Sequence, residues 1–492
     1  MKWVSTLILL VAALVLFAFV FFWERKQPTS EEAAAREKRL FTFEEKDVRW
    51  IELDHDGTAV RFERAAGTKA AAPAVASPLP SASAHPAGDA DASSGWRMVR
   101  PLQDRADDDL VNGLARKIAE LAAIRTFDAG SRVPSDADAG LQPPRFRISF
   151  DAGAGPRTLT AGRDAPATSG VFLRSPDGKT CLVPRGLVEG LDRPADEWRD
   201  HSLFDFGAVD LSAAELIRPA GPLRFRREGE DWRLTAPVED EAAGSKIQAL
   251  LSSITAVRAE TFHTEQEVAG KTALQPPVRQ ARLTRRDGTV VELAIGGPVE
   301  GTTDRVYARI PSRPGVAEIA SRILQDLDTA PDACRSRKLF GFSPWDVRSI
   351  TIQSKGTTIE LNREGETSGA APPKWTAVRP PGLTPKPEAV ESLMNDLLDM
   401  EAAEIAGPAG DLAAWGLDSP TATVEIAAST TGAGPQPAGK AAATETAPRT
   451  QLVRFGKTAP GEGRIYAQRE GRPWVLIVPA RTVDTLDVSS LK

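Results

Sequence analysis

Three stretches of this chain open on a lone Trp, place a Pro five residues later, and run on into an amphipathic segment. They read WRMVRPLQDRADDDLVNGLARKIAELAAIRTF from Trp96, WRLTAPVEDEAAGSKIQALLSSITAVRAETF from Trp232 and WTAVRPPGLTPKPEAVESLMNDLLDMEAAEI from Trp375. Pro101, Pro237 and Pro380 keep one offset from their Trp, and so do the apolar sets Leu114/Leu250/Leu393, Ile118/Ile254/Leu397 and Leu121/Val257/Met400. Steps of four and then three residues place each set on one face of a helix. A repeat with a period of about 140 residues constrains the fold strongly, because each copy is long enough to bury a core of its own. The six Trp and Pro residues are a structural signature of the repeat and name no reaction.

A length of 492 residues leaves room for three such units, and a net charge of -6 gives no basic stripe of the kind nucleic-acid binding requires. Cys181 and Cys334 form neither a disulfide framework nor a metal motif. Cys334 stands five residues before the repeat start at Leu339, where the preceding unit has Trp198, so the cysteines are not equivalent and read as isolated thiols.

Val4 to Trp23 is uncharged over about twenty residues, the length that crosses a bilayer core as a helix. It ends in bulky FVFFWERK rather than a small-residue cleavage site, so residues 1–26 read as an uncleaved transmembrane anchor and 27–39 as a charged spacer. Arg25, Lys26, Arg36, Lys38 and Arg39 outnumber Lys2 and the amino terminus, which argues for a cytoplasmic body. A short N-terminus, one apolar segment and a long domain form the plan of exported, anchored proteins. The reading adopted places the protein in the cytoplasmic membrane, single-pass, with its body extracytoplasmic.

Repeat modules follow at 40–202, 203–338 and 339–492. Each opens on a related tetrapeptide, LFTF at Leu40, LFDF at Leu203 and LFGF at Leu339. Alternating apolar residues then predict hairpins, turning at Asp54 to Gly57 in the first unit and at Gly356 in the third. Ala/Pro/Ser-rich insertions at about 66–95 and 429–449 cannot bury a core and read as disordered loops. The acidic runs Asp107–Asp109 and Glu239–Glu241 suit the positive end of a following helix. Four more strands and a short helix carrying Leu-Asp (Leu191-Asp192, Leu327-Asp328, Leu486-Asp487) close each unit. The expected class is α+β: an N-terminal transmembrane helix, then three tandem repeats of a mainly antiparallel sheet with one long and one short helix each.

An anchor followed by the LFxF opening, a hairpin, Trp-x-x-x-x-Pro and a helix resembles a bacterial membrane-anchored family of unknown function. Its members often lie beside genes for gliding-motility-type ABC transporters and their auxiliary membrane proteins. The resemblance covers the chain after the anchor in three copies. It implies an extracytoplasmic accessory role at a transporter-like complex and carries over no catalytic or ligand residue.

Candidate chemistry is sparse. Asp54-His55-Asp56 is the most ligand-like triplet, but Asp and Gly are also what a hairpin turn selects. His85 falls in an insertion, and His201 and His263 have no Cys or His at ligand spacing. Tyr307 and Tyr466 occupy matching strands with Phe172 in the first copy, which points to packing rather than to a hydroxyl's chemistry. The repeated Trp residues read as core or core edge. No nucleophile elbow, P-loop or dinucleotide fingerprint stands in strand-to-helix context. The expectation is therefore no enzyme and no cofactor, with catalytic and metal residues unassigned. The function expected is a membrane-anchored scaffold or accessory subunit of an envelope or ABC-transporter-like complex, acting by protein-protein contacts. The alternative is an extracytoplasmic module that binds an envelope glycan or lipid in a cleft between repeats, using exposed Trp96, Trp232 or Tyr307.

Overall fold

The period-two pattern of the sequence becomes cross-strand apolar pairing in a computed structural model, which describes residues 39–65, 95–127, 133–166, 168–364, 374–429, 448–484, 486 and 491. The expected anchor, most of the charged spacer and the two insertions at about 66–95 and 429–449 fall outside the described residues, save for their edges. No helix among the described residues is long and apolar enough to cross a membrane.

The first repeat holds β1 (Trp50–His55), β2 (Thr58–Arg64), β3 (Trp96–Arg100), β4 (Asp104–Arg105), β5 (Arg125–Thr126), β6 (Phe146–Asp151), β7 (Pro156–Asp164), β8 (Gly170–Arg174) and β9 (Thr180–Pro184). They form one sheet in the order β4-β3-β2-β1-β6-β7-β8-β9-β5. Its register stacks inward residues: Ile51 opposes Phe62 on one side and Phe150 on the other, and Leu53 opposes Val60 and Ile148. The hairpin turns where expected, with Asp56 and Gly57 both at positive φ, 48° and 79°. A twelve-residue helix, α1 (Asp108–Ala119), joins β4 to β5, which lie at opposite edges of the sheet. It therefore crosses the sheet face and buries Val111, Leu114, Ala115 and Ile118 against the strands. A short helix, α2 (Asp136–Ala139), precedes β6.

The second repeat contributes β10 (Leu211–Ile217), β11 (Leu223–Glu228), β12 (Asp231–Ala236), β13 (Asp240–Glu241), β14 (Thr261–His263), β15 (Arg279–Arg285), β16 (Val290–Pro298), β17 (Arg305–Arg309) and β18 (Val316–Ala320). Its helices are α3 (Gly244–Thr255), α4 (Ile323–Leu327) and α5 (Pro331–Cys334). The third has β19 (Val347–Ser354), β20 (Thr357–Glu364), β21 (Lys374–Arg379), β22 (Glu404–Pro408), β23 (Ala422–Ala428), β24 (Arg449–Thr458), β25 (Arg464–Arg469) and β26 (Trp474–Pro479). They run in the order β21-β20-β19-β23-β24-β25-β26-β22, with α6 (Pro387–Leu398) and α7 (Arg481–Asp484). The first repeat's register returns here, with Ile350 opposite Leu361 and Ile426.

Compactness divides the chain into two units. Unit 1 is residues 1–205, 255–278 and 292–322, and unit 2 is 206–254, 279–291 and 323–492. The second repeat thus supplies β10–β13 and β15 to unit 2, and β14, β17 and β18 to unit 1.

The expected α+β class is corrected, while the transmembrane helix of that expectation lies outside the described residues. The described chain is mostly antiparallel sheet, and each repeat has a single helix of twelve residues. The first repeat closes on 3-10 turns at 185–187 and 195–198 instead of a short α-helix, with Leu191-Asp192 in the turn between them. Gly190 at φ 77° and Pro194 interrupt any helical run there. The two-residue strands β4, β5 and β13 are too short to leave a periodic trace in sequence. They lengthen sheets that the helices do not match.

Each late hairpin is covered by backbone of the preceding segment docked on a glycine. A Cβ on Gly162 would be driven into the carbonyl oxygen of Ala139; at Gly296 it would meet that of Thr272, and at Gly456 that of Trp415. These glycines end the strand motifs RTLTAG, VVELAIG and QLVRFG. Gly162→Ala and Gly456→Ala are each expected to lower stability by about 1–3 kcal/mol, since a backbone, not a flexible side chain, must yield. Gly113→Ala, inside α1 with open space at its Cβ, is expected to raise stability by about 0.5–1 kcal/mol. Chemical denaturation of the three variants checks both signs.

Candidate functional site

Trp96, Trp232 and Trp375 are 2%, 4% and 4% exposed, and Tyr307 is 4% exposed. These rings therefore do not form the open aromatic platform that the glycan-or-lipid alternative asks of them. Trp96 donates its indole N–H to Asn112 Oδ1 at 2.7 Å, and Arg64 lies over its ring. Pro101, Pro237 and Pro380 each follow a cis peptide bond. Asp54 and His55 end strand β1 and Asp56 begins the hairpin turn, with His55 Nδ1 2.9 Å from the Arg145 carbonyl. No cluster of metal-ligating side chains is found among the described residues. His201 sits against the Ala259 carbonyl, and His263 meets Glu318 at 2.7 Å. Tyr466 packs edge-on against Trp415.

What the folding brings together is a buried charge cluster, built twice. In unit 1, Asp104 on β4 accepts from Arg199 Nε at 2.8 Å and from Arg313 Nε and Nη2 at 3.0 and 2.8 Å. Arg313 belongs to the loop between β17 and β18, so this carboxylate ties the first repeat to the closing hairpin of the second. Arg313 also donates to the carbonyls of Ser202 and Asp200, and Arg199 Nη2 returns a bond to the Pro314 carbonyl at 2.8 Å. Phe262 lies flat against the Arg199 guanidinium, 3.6 Å from the ring centroid.

Unit 2 repeats the arrangement with other residues. Asp240 on β13 accepts from Arg335 Nε at 2.8 Å and from Arg472 Nε and Nη2, both at 3.0 Å. Arg472, between β25 and β26, also donates to the Ser336 and Lys338 carbonyls. Trp474 replaces Phe262 as the ring beneath the arginine, at 4.1 Å. Asp196 and Asp332 bind the remaining Nη1 of Arg199 and Arg335, so each cluster sets two carboxylates against two guanidiniums. Beside the second cluster, Arg469 pairs with Glu241.

The acidic run Glu239–Glu241 thus does not cap a helix. Asp240 and Glu241 form β13 and serve the charge cluster, while α3 starts at Gly244 with no acid in its first turn. In the first repeat the expectation holds: Asp107 caps α1 by accepting from Leu110 N–H. The charge cluster was readable as a fixed offset. Asp104 and Asp240 both stand eight residues after their Trp, and Arg199 and Arg335 both stand four before the next LFxF. Its third member was not, because Arg313 and Arg472 come from loops of different length.

Burial alone raises the Asp104 carboxyl, but the hydrogen bond and charge of Arg313, then the charge of Arg199, outweigh it and leave the group below the usual carboxylate range. The Cys181 and Cys334 thiols are free and buried, and burial pushes each up to about 11.

Comparison with protein families adds one finding. The model described as Domain of unknown function (DUF4340) matches residues 96–277, 232–380 and 375–491, so its three copies begin at Trp96, Trp232 and Trp375. Comparison with curated proteins and with solved structures returned no match.

Asp104→Ala and Asp240→Ala are each expected to destabilise the protein by about 3–5 kcal/mol, because each strands buried arginines without their carboxylate. The Asp104 carboxyl is lower in the folded chain than in the unfolded one. Its contribution is present above about pH 4 and is lost as pH falls further and the unfolded chain takes the proton first. Asp104→Asn should therefore flatten the acid limb of a stability-versus-pH profile measured from pH 6 to 2.5; an unchanged acid limb counts against the assignment. At pH 7.5 the native thiols should alkylate at least about 100-fold more slowly than in denaturant, since only the thiolate reacts.

Proposed function

The chain belongs to the family of the domain of unknown function DUF4340 and carries that domain three times in tandem, and on that premise we propose that it is a non-enzymatic scaffold or accessory subunit. It is held at the cytoplasmic membrane by the apolar stretch from Val4 to Trp23, with its body extracytoplasmic. There it works by protein-protein contacts within an envelope or ABC-transporter-like complex.

One observation carries the reading. In the first repeat β3 is flanked by β4, and in the second β12 is flanked by β13, where the clustered aspartate sits. Eight residues after Trp375 the third repeat has Leu383 instead. Its strand β21 ends the sheet, paired with β20 on one side and with no strand on the other among the described residues. Val378 on that strand is 45% exposed. An edge strand offers unpaired N–H and C=O groups to an incoming strand, and β-augmentation is a common mode of protein recognition.

Affinity purification of the full chain from native membranes should recover a near-stoichiometric envelope or transporter subunit. Val378→Lys should reduce that recovery at least about tenfold with no loss of thermal stability, since a charged edge resists strand addition. Recovery of no such subunit, or recovery indifferent to Val378→Lys, overturns the respective parts of the proposal. Protease applied at the periplasmic face should cut the body; protection until the inner membrane is broken would place the body in the cytoplasm.

A further inference from the structure

Each buried aspartate sits on a receiving face that one repeat offers to the next. The frame of that face is a bond at the start of the long helix, eleven residues after the Trp. Asp107 N–H donates to the Trp198 carbonyl and Ala243 N–H to the Cys334 carbonyl, both at 2.8 Å. Arg199 and Arg335 follow those carbonyls directly. The visiting face is the late hairpin of the following repeat, which brings Arg313-Pro314 in unit 1 and Arg472-Pro473 in unit 2. The same two faces thus meet twice in one chain.

The third repeat keeps the frame. Lys386 N–H, again eleven residues after its Trp, reaches the Leu491 carbonyl at 3.1 Å. The polar acceptor is exchanged, because Leu383 stands at the position of the aspartate. Asp104 and Asp240 are sealed beneath their hairpins, whereas Leu383 is half-buried, with Pro381 beside it and Val378 on β21 exposed. Among the described residues no further strand and no hairpin loop is bonded to this face.

What fits there follows from charge. An arginine delivered to Leu383 would be buried with no carboxylate to accept from it, which is strongly unfavourable. The late hairpin of the first repeat turns through Ser175-Pro176-Asp177-Gly178-Lys179, where Asp177 and Lys179 are exposed. A second copy of the chain joined head to tail through these faces would bury both charges against an apolar side chain. An apolar tip is the complement.

On the reading above that this edge of the third sheet meets a partner protein, we propose that Leu383, Pro381 and Val378 dock a β-hairpin of a different protein. That hairpin carries an apolar residue at its tip, where Arg313 and Arg472 stand in the junctions between repeats. The junctions supply the mode of contact, and the exchange of Asp for Leu sets the specificity.

The test is photocrosslinking of the full-length chain in native membranes, with p-benzoylphenylalanine at position 378 or 383 and the captured peptide identified by mass spectrometry. Both positions should capture one partner. The peptide captured from 383 should be a hairpin loop with Leu, Ile, Val, Met or Phe at its tip and no arginine. Pro381→Glu, at an exposed position, should lower that yield at least about tenfold with an unchanged melting temperature, which separates loss of the contact from loss of the fold. Capture from 378 but not from 383 overturns the hairpin and leaves the β21 edge standing; capture from neither overturns both. Capture from 383 of residues 175–179 of a second copy, of a lipid or of an arginine-tipped loop also overturns the proposal, as does a yield indifferent to Pro381→Glu.

Discussion

A carboxylate with two arginines, sealed from solvent, is the interaction on which the arrangement within each unit depends. Asp104 and Asp240 are 7% and 1% exposed, and each receives three guanidinium hydrogen bonds. Buried charges cost several kcal/mol to desolvate, so such a cluster contributes little net stability over a well-packed apolar one. Its consequence is selectivity. If the loop carrying Arg313 or Arg472 docks one residue out of place, the aspartate and its partner arginine are left buried and unpaired. The carbonyls of Asp200, Ser202, Ser336 and Lys338 sharpen this, because a guanidinium's five donors have a fixed planar geometry.

The sheets supply the frame that makes such placement possible. β3 and β12 carry the Trp whose burial fixes the strand in register, and the chain then returns as the two-residue β4 or β13 to deliver the aspartate. On the opposite half of the sheet, Gly162, Gly296 and Gly456 let loop backbone lie directly on the strands, and Tyr307 and Tyr466 fill the satellite cores beneath those loops. Both devices use side-chain size, large at the Trp and absent at the Gly, to set how closely two backbones approach.

Much of this was legible in sequence. Alternation gave the hairpins, and the steps of four and three gave the long helices, whose Leu114, Ile118, Leu393 and Leu397 are buried. Two things were hidden, and for physical reasons. The balance of helix and sheet was misjudged because two-residue strands have no period to detect and because Gly190 and Pro194 stop a helix that the Leu-Asp motif suggested. The charge cluster is masked, although Asp104/Asp240 and Arg199/Arg335 stand at fixed offsets, because acidic residues before a helix have a ready explanation in the helix dipole, correct for Asp107–Asp109 and incorrect for Asp240. Only tertiary contact distinguishes an aspartate that caps a helix from one that waits for an arginine about 230 residues away in the chain.

The repeats share a frame and differ in polar detail, and the differences follow from one another. Because Asp240 and Glu241 are drawn into β13, the second repeat has no acid at the start of α3, which is Gly244-Ser245-Lys246. Because Pro473 bonds to Ala409, Arg335 lacks the acceptor that Pro314 gives Arg199. Leu383 stands where Asp104 and Asp240 stand in the other copies, and among the described residues the third sheet has no counterpart of β4 or β13 and stops at β21. Duplication thus preserved apolar register, which any copy needs in order to bury its core, and left polar positions free to diverge. Function in a tandem array of this kind is expected at those divergent polar positions, since the shared ones are already committed to holding the fold.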